Sequence, residues 1–173
     1  MLVGWRETGA GPMRLTTVPP VLGLMMSTTH TRSATAAATN AVEIQRFTWH
    51  DAKRNRDVPA KIYFPAATNG PFPIILFSHG LGGSREGYEY LGRHWAAHGY
   101  VSVHLQHAGS DEAIWSGLAA SDRMAAMRKA AANPRNAINR PLDLSLALDE
   151  LERLKRENGA WQQRLDMERV GVA

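Results

Sequence analysis

The stretch Ile74-Ile75-Leu76-Phe77-Ser78-His79-Gly80-Leu81-Gly82-Gly83-Ser84 decides how this 173-residue chain is read. Residues 72–77 are continuously apolar, the pattern of a strand covered on both faces rather than one half-exposed to water. The glycine-rich turn that follows breaks the strand, and residues 86–98 then carry helical sequence. Tyr88, Leu91, Trp95 and Ala96 fall near one face of that helix, and Gly99 stands where a C-terminal cap belongs. Residues 100–105 form another apolar strand. Strand, helix and strand within about thirty residues make a βαβ unit, whose crossover sets the two strands parallel.

Working toward the N-terminus, residues 43–49 alternate imperfectly and are rich in β-branched and aromatic side chains, as in an edge strand. A charged turn, 51–57, leads to a second strand over 58–64, ended by Pro65 and the Asn69-Gly70-Pro71 turn. The pair predicts an antiparallel hairpin at one edge of the sheet. Residues 1–42 differ in kind. Arg6 and Arg14 precede an apolar run broken by Pro19-Pro20, and Ala34-Thr35-Ala36 has the spacing of a signal-peptidase site. A signal peptide, a disordered leader and a start codon placed too early all fit this segment. The interrupted run puts cytoplasmic residence ahead of a secreted or periplasmic location, and it is too short for a membrane span.

Toward the C-terminus, residues 121–132 predict a helix rich in Ala and Met, stopped by Asn133-Pro134. Pro141 fits the first turn of a second helix running to about residue 158. Leu144, Leu148, Leu151 and Leu154 line its inner side, and Gly159 closes it. Residues 169–173 read as the start of a strand. The expected architecture is α/β: a mostly parallel sheet flanked by helices, with an antiparallel hairpin at its N-terminal edge.

Composition narrows the chemistry. Apolar residues make up 44% of the chain, enough for a core, and the absence of cysteine excludes disulfides, thiolate metal sites and a thiol nucleophile. The net charge of +4 and a pI near 9.8 come from scattered arginines without aromatic-interleaved stripes, so no nucleic-acid partner is expected. His79, His104, His107 and Asp111 could be drawn as a metal site. Strand residues three apart point to opposite faces, however, and neither His-x-His nor HExxH spacing occurs, so neither metal nor cofactor is expected. Ser78, Ser84 and Ser110 are hydroxyls in turn-like sequence. The chemistry-bearing feature is the His79-Gly80-Leu81-Gly82-Gly83 turn. The first turn of a helix leaves backbone N–H groups without acceptors, and glycine lets backbone approach a ligand closely. Such a turn is a natural anion or oxyanion site.

These residues resemble the oxyanion turn after the third strand of the α/β-hydrolase superfamily, a relative of the HGGG motif. Trp49-His50-Asp51, Arg56-Asp57-Val58-Pro59, Ile62-Tyr63-Phe64-Pro65 and His107-Ala108-Gly109-Ser110-Asp111 extend the resemblance. They point to the branch containing platelet-activating-factor acetylhydrolase-like and dienelactone-hydrolase-like proteins, over residues 43–173. The resemblance implies a serine esterase or lipase acting on a small ester or lipid. It implies half an oxyanion hole at the Leu81 N–H and a positioning rather than basic role for His79. In that family a strand like Arg169-Val170-Gly171-Val172-Ala173 runs into G-x-S-x-G, with the acid and histidine later still. The expectation is therefore an incomplete α/β-hydrolase fold whose triad lies beyond Ala173, inactive as it stands. Its last strand would be an unpaired edge prone to aggregation or dependent on a partner. A non-catalytic binding or interaction protein built on the same half-fold is the alternative.

Overall fold

The computed structural model describes residues 42–66 and 69–173, so the reading of residues 1–41 as a leader or export signal lies outside them. Five strands form one sheet in the order β1-β2-β4-β3-β5: β1 Val42–Asp51, β2 Arg56–Pro65, β3 Phe72–Ser78, β4 Val101–Leu105 and β5 Leu165–Val172. Helices α1 Glu89–Ala97, α2 Ala120–Ala131, α3 Pro134–Glu157 and the short α4 Gly159–Gln162 complete it. Strands β1 and β2 make the hairpin, in register from Val42↔Pro65 to Asp51↔Arg56. The β3-α1-β4 unit is parallel, pairing Ile74↔Val101 through Ser78↔Leu105.

The sheet is mixed rather than mostly parallel. Strand β2 pairs antiparallel with β4, so the hairpin is inserted beside the parallel unit and accounts for two of the four pairings. The parallel part is β4-β3-β5. A strand's own sequence reports whether its faces are buried, and not which neighbour it takes.

Alternation along the strands divides the interior into two layers. Val58, Ala60, Ile62 and Phe64 of β2, Ile74 and Leu76 of β3, and Val101, Val103 and Leu105 of β4 pack with Ala147 and Leu151 of α3. The opposite face carries Tyr63, Phe77 and His104 against α1, where the His104 ring lies 4.9 Å from Tyr63 and 4.6 Å from Phe77. Gly92 allows α1 to sit this close, because a Cβ there would stand 2.5 Å from the Tyr63 ring.

Three helix details depart from the sequence reading. Helix α1 starts at Glu89 and buries Gly92 and Ala96, while Tyr88, with φ of 57°, is half exposed. Helix α3 begins at Pro134, where the Asn133 side chain accepts the Arg135 N–H at 3.1 Å, so Pro141 lies inside the helix and forgoes one intrahelical bond. Its fully buried line is Asp143, Ala147 and Leu151, with Leu144, Leu148 and Leu154 packed partly against the core beside it. Gly159 opens α4 rather than closing α3; the Asn158 side chain caps that helix by accepting the Ala160 N–H.

Candidate active-site turn

Strand β3 delivers Ser78 to the end of the sheet, and residues 79–84 turn away there. The loop after β4 clamps this turn. Gly82 donates its N–H to the Ser110 carbonyl, Glu112 donates to the Gly83 carbonyl, and the Trp115 indole donates to the Gly82 carbonyl, each at 2.8 Å. Gly82 has φ of 78°, a conformation that favours glycine, and a Cβ there would lie 2.9 Å from the Trp115 Nε1. A Cβ on Gly80, by contrast, meets nothing within 4 Å among the described residues.

His79 is fully buried and both ring nitrogens face backbone. Nδ1 donates to the Gly80 carbonyl at 2.7 Å, and Nε2 accepts the His107 N–H at 3.2 Å. That pattern requires the neutral ring with its proton on Nδ1. Burial lowers the His79 pKa from its ordinary value, and the neighbouring His107 and Arg140 act in the same direction. The Gly80 carbonyl also accepts the Gly83 N–H at 3.0 Å. A peptide unit is planar and trans, so fixing the Gly80 carbonyl aims the Leu81 N–H the opposite way. Among the described residues that N–H has no acceptor, and Leu81 is 38% exposed.

Beneath the turn lies a polar group that the sequence reading did not assemble. Ser78 Oγ stands 3.0 Å from His107 Nε2, and His107 Nδ1 stands 2.9 Å from Asp143 Oδ2. Asp143 also accepts from Arg54 at 2.7 Å and Arg56 at 3.1 Å. Arg140, one turn before Asp143 on α3, donates through Nη2 to Ser78 Oγ at 2.7 Å and to the His79 carbonyl, and through Nη1 to Ser110 Oγ at 3.1 Å. Asp143 was legible only as a carboxylate on the same helical line as Ala147 and Leu151. A line drawn through the leucines passes beside it.

His104 and His107 are not one site. His104 faces α1 within the sheet, while His107 lies past the end of β4 against Asp143. Among the described residues no three His, Cys, Asp or Glu are grouped to hold a metal ion, and no helix is long and apolar enough to cross a membrane. After the turn, the chain is tied back to the sheet by charge: Lys61 Nζ reaches Glu86 at 2.7 Å and Glu89 at 2.9 Å. Arg46, joined by Lys61, holds the Glu86 carboxyl down to about 2.

The family model described as platelet-activating factor acetylhydrolase, isoform II, matches residues 35–138, more than half of the chain. Platelet-activating factor acetylhydrolase from Cavia porcellus is 42% identical over 50 residues, which are 29% of this chain and 12% of that protein. The protein of the same name from Canis lupus familiaris is 39% identical over 49 residues, 28% of this chain and 11% of the relative. The matched segment is thus only about an eighth of either relative's length. In structure, the chain is similar to a ferulic acid esterase from Streptomyces cinnamoneus, with a TM-score of 0.52 and 19% identity over 76% of this chain and 51% of that one. That likeness is one of fold.

Proposed function

Because the chain belongs to the platelet-activating factor acetylhydrolase, isoform II, family, we propose that it carries the oxyanion-binding turn of a serine-dependent carboxylic ester hydrolase. The observation that carries the reading is the Gly80–Leu81 peptide, at the end of a parallel strand, whose carbonyl is held by two donors while its N–H has no acceptor among the described residues. Ligands of open α/β sheets bind at the carboxyl ends of such strands. Strand β5 runs parallel to β3, and Ala173 donates to the Leu76 carbonyl while accepting from the Ser78 N–H. A strand continuing in that direction emerges beside the turn, which is where a G-x-S-x-G elbow would set its nucleophile.

In this mechanism the serine oxygen attacks the acyl carbon and gives up its proton, the acyl C–O bond to the alcohol breaks so that the alcohol leaves protonated, and water then hydrolyses the acyl-enzyme to the acid. The developing oxyanion takes a hydrogen bond from the Leu81 N–H and a second from the residue after the nucleophile. Removing one such donor costs about 2.7–4 kcal/mol in the barrier. His79, engaged at both nitrogens, orients the turn rather than abstracting a proton. Small acyl esters or lipid esters are the proposed substrates, and the 173-residue chain by itself is proposed to lack triad-dependent turnover.

The test compares p-nitrophenyl acetate hydrolysis by this chain with hydrolysis by the product of the reading frame continued past the Ala173 codon. Turnover confined to the longer product and abolished by a serine-directed phosphonate is expected. Phosphonate-sensitive turnover by the 173-residue chain would overturn the assignment. A longer product that binds esters without hydrolysing them would favour a binding protein.

A further inference from the structure

We propose that Arg140 is a positioning residue of the turn, holding the His79–Gly80 peptide and the clamping loop in the orientation that leaves the Leu81 N–H free. The inference rests on the oxyanion reading for its purpose, although its geometry stands without it. A guanidinium is a rigid planar fork, and here it spans both segments that build the site. One nitrogen reaches Ser78 Oγ and the His79 carbonyl at the end of β3. The other reaches Ser110 Oγ in the loop whose backbone accepts Gly82. The part-buried Arg140 forms no ion pair among the described residues and spends its donors on neutral acceptors of the turn. An arginine that served only to offset a buried charge would be aimed at a carboxylate.

The remaining hydrogens follow a single direction. Asp143 accepts only, so His107 donates from Nδ1, and in the neutral ring Nε2 is then the bare nitrogen that faces the Ser78 hydroxyl. Ser78 donates its proton to that nitrogen and accepts from Arg140. The order Arg140, Ser78, His107, Asp143 is thus a donor-to-acceptor chain, each bond strengthening the next. Its last three members have the connectivity of a hydrolytic triad. Two facts point instead to positioning: Arg140 occupies the Ser78 oxygen, and His107 and Asp143 are fully buried. Both ends of the chain sit on α3, one helical turn apart, so the helix fixes the turn through Arg140 and fixes Arg140's partner through Asp143.

The test is amide hydrogen exchange on the 173-residue chain, wild type against Arg140→Met, with a fluorophosphonate labelling arm. Loss of a charge-assisted hydrogen bond speeds local opening by about tenfold or more. The Gly82 and Gly83 amides are therefore expected to exchange at least about tenfold faster, while Ile62 and Val103 in the sheet keep their rates. Should Arg140→Met fail to fold, Arg140→Lys carries the same test, with a smaller acceleration at the same two amides because the charge stays and the fork is lost. Equal acceleration throughout the sheet, or none at the turn, would overturn the proposal, as would phosphonate labelling of Ser78. Exchange requires no ester turnover. A localised effect in a protein that proves not to be an esterase would refute the oxyanion reading and leave the positioning role intact.

Discussion

Replacing Asp143 by alanine removes a carboxylate with no exposed surface that accepts from three donors, and the consequences can be followed donor by donor. Arg54 keeps Asp51 as a partner. Among the described residues Arg56 keeps only the Ala108 carbonyl, and its side chain is 14% exposed, so its charge is left largely without compensation. His107 loses the acceptor that fixes its tautomer. Breaking a buried ion pair from one side costs about 3–5 kcal/mol. With Arg54 still paired, the lower end applies, about 3 kcal/mol. With a urea m-value of about 2 kcal/mol/M, the unfolding midpoint falls by about 1.5 M. Equilibrium urea denaturation followed by far-UV circular dichroism measures this directly. Asp143→Asn, which keeps the volume and removes the charge, is expected to lose a similar amount, separating electrostatics from cavity formation. A midpoint shift under about 0.5 M at unchanged m would refute the reasoning, because it would mean solvent satisfies Arg56 as well as the carboxylate does.

Gly82→Ala forces a side chain into the left-handed region at a cost of about 1–2 kcal/mol, and its Cβ displaces the Trp115 indole from the Gly82 carbonyl. A drop of about 5 °C in the melting midpoint is expected, with a changed near-UV tryptophan signal; an unchanged midpoint would contradict the φ assigned to this glycine. Burial lowers the His104 pKa to about 4 from an ordinary 6.5, so the unfolded chain binds a proton that the folded one refuses, and stability falls as pH drops from about 6.5 to about 4. Urea midpoints across that range should slope for wild type and flatten in His104→Phe. Glu86, held at about 2 against an ordinary 4.5, acts in a lower window: its contribution is complete above about 4.5 and is lost as pH falls toward 2. Urea midpoints between pH 5 and pH 2.5 should therefore fall less in Glu86→Gln than in wild type.

The sequence by itself determined the β3-α1-β4 unit, the hairpin before it and the turn at residues 79–83. Each is encoded locally: a continuous apolar run specifies a strand buried on both faces, Gly99 stops a helix, and adjacent glycines permit a tight turn. The long C-terminal helix was legible too, although its start was misplaced by seven residues, because Asn133-Pro134 caps a helix as well as Pro141 would begin one. Tertiary structure alone decided that β2 lies antiparallel beside β4, which makes the sheet mixed, since that pairing joins residues about forty apart in sequence without a local signal. It also decided the network under the turn. Ser78, His107, Arg140 and Asp143 lie on β3, the loop after β4 and α3, up to sixty-five residues apart, and each alone reads as an ordinary polar side chain. Charge and hydrogen-bonding capacity are written in the residue, whereas the partner that satisfies them exists only after the sheet and α3 have packed.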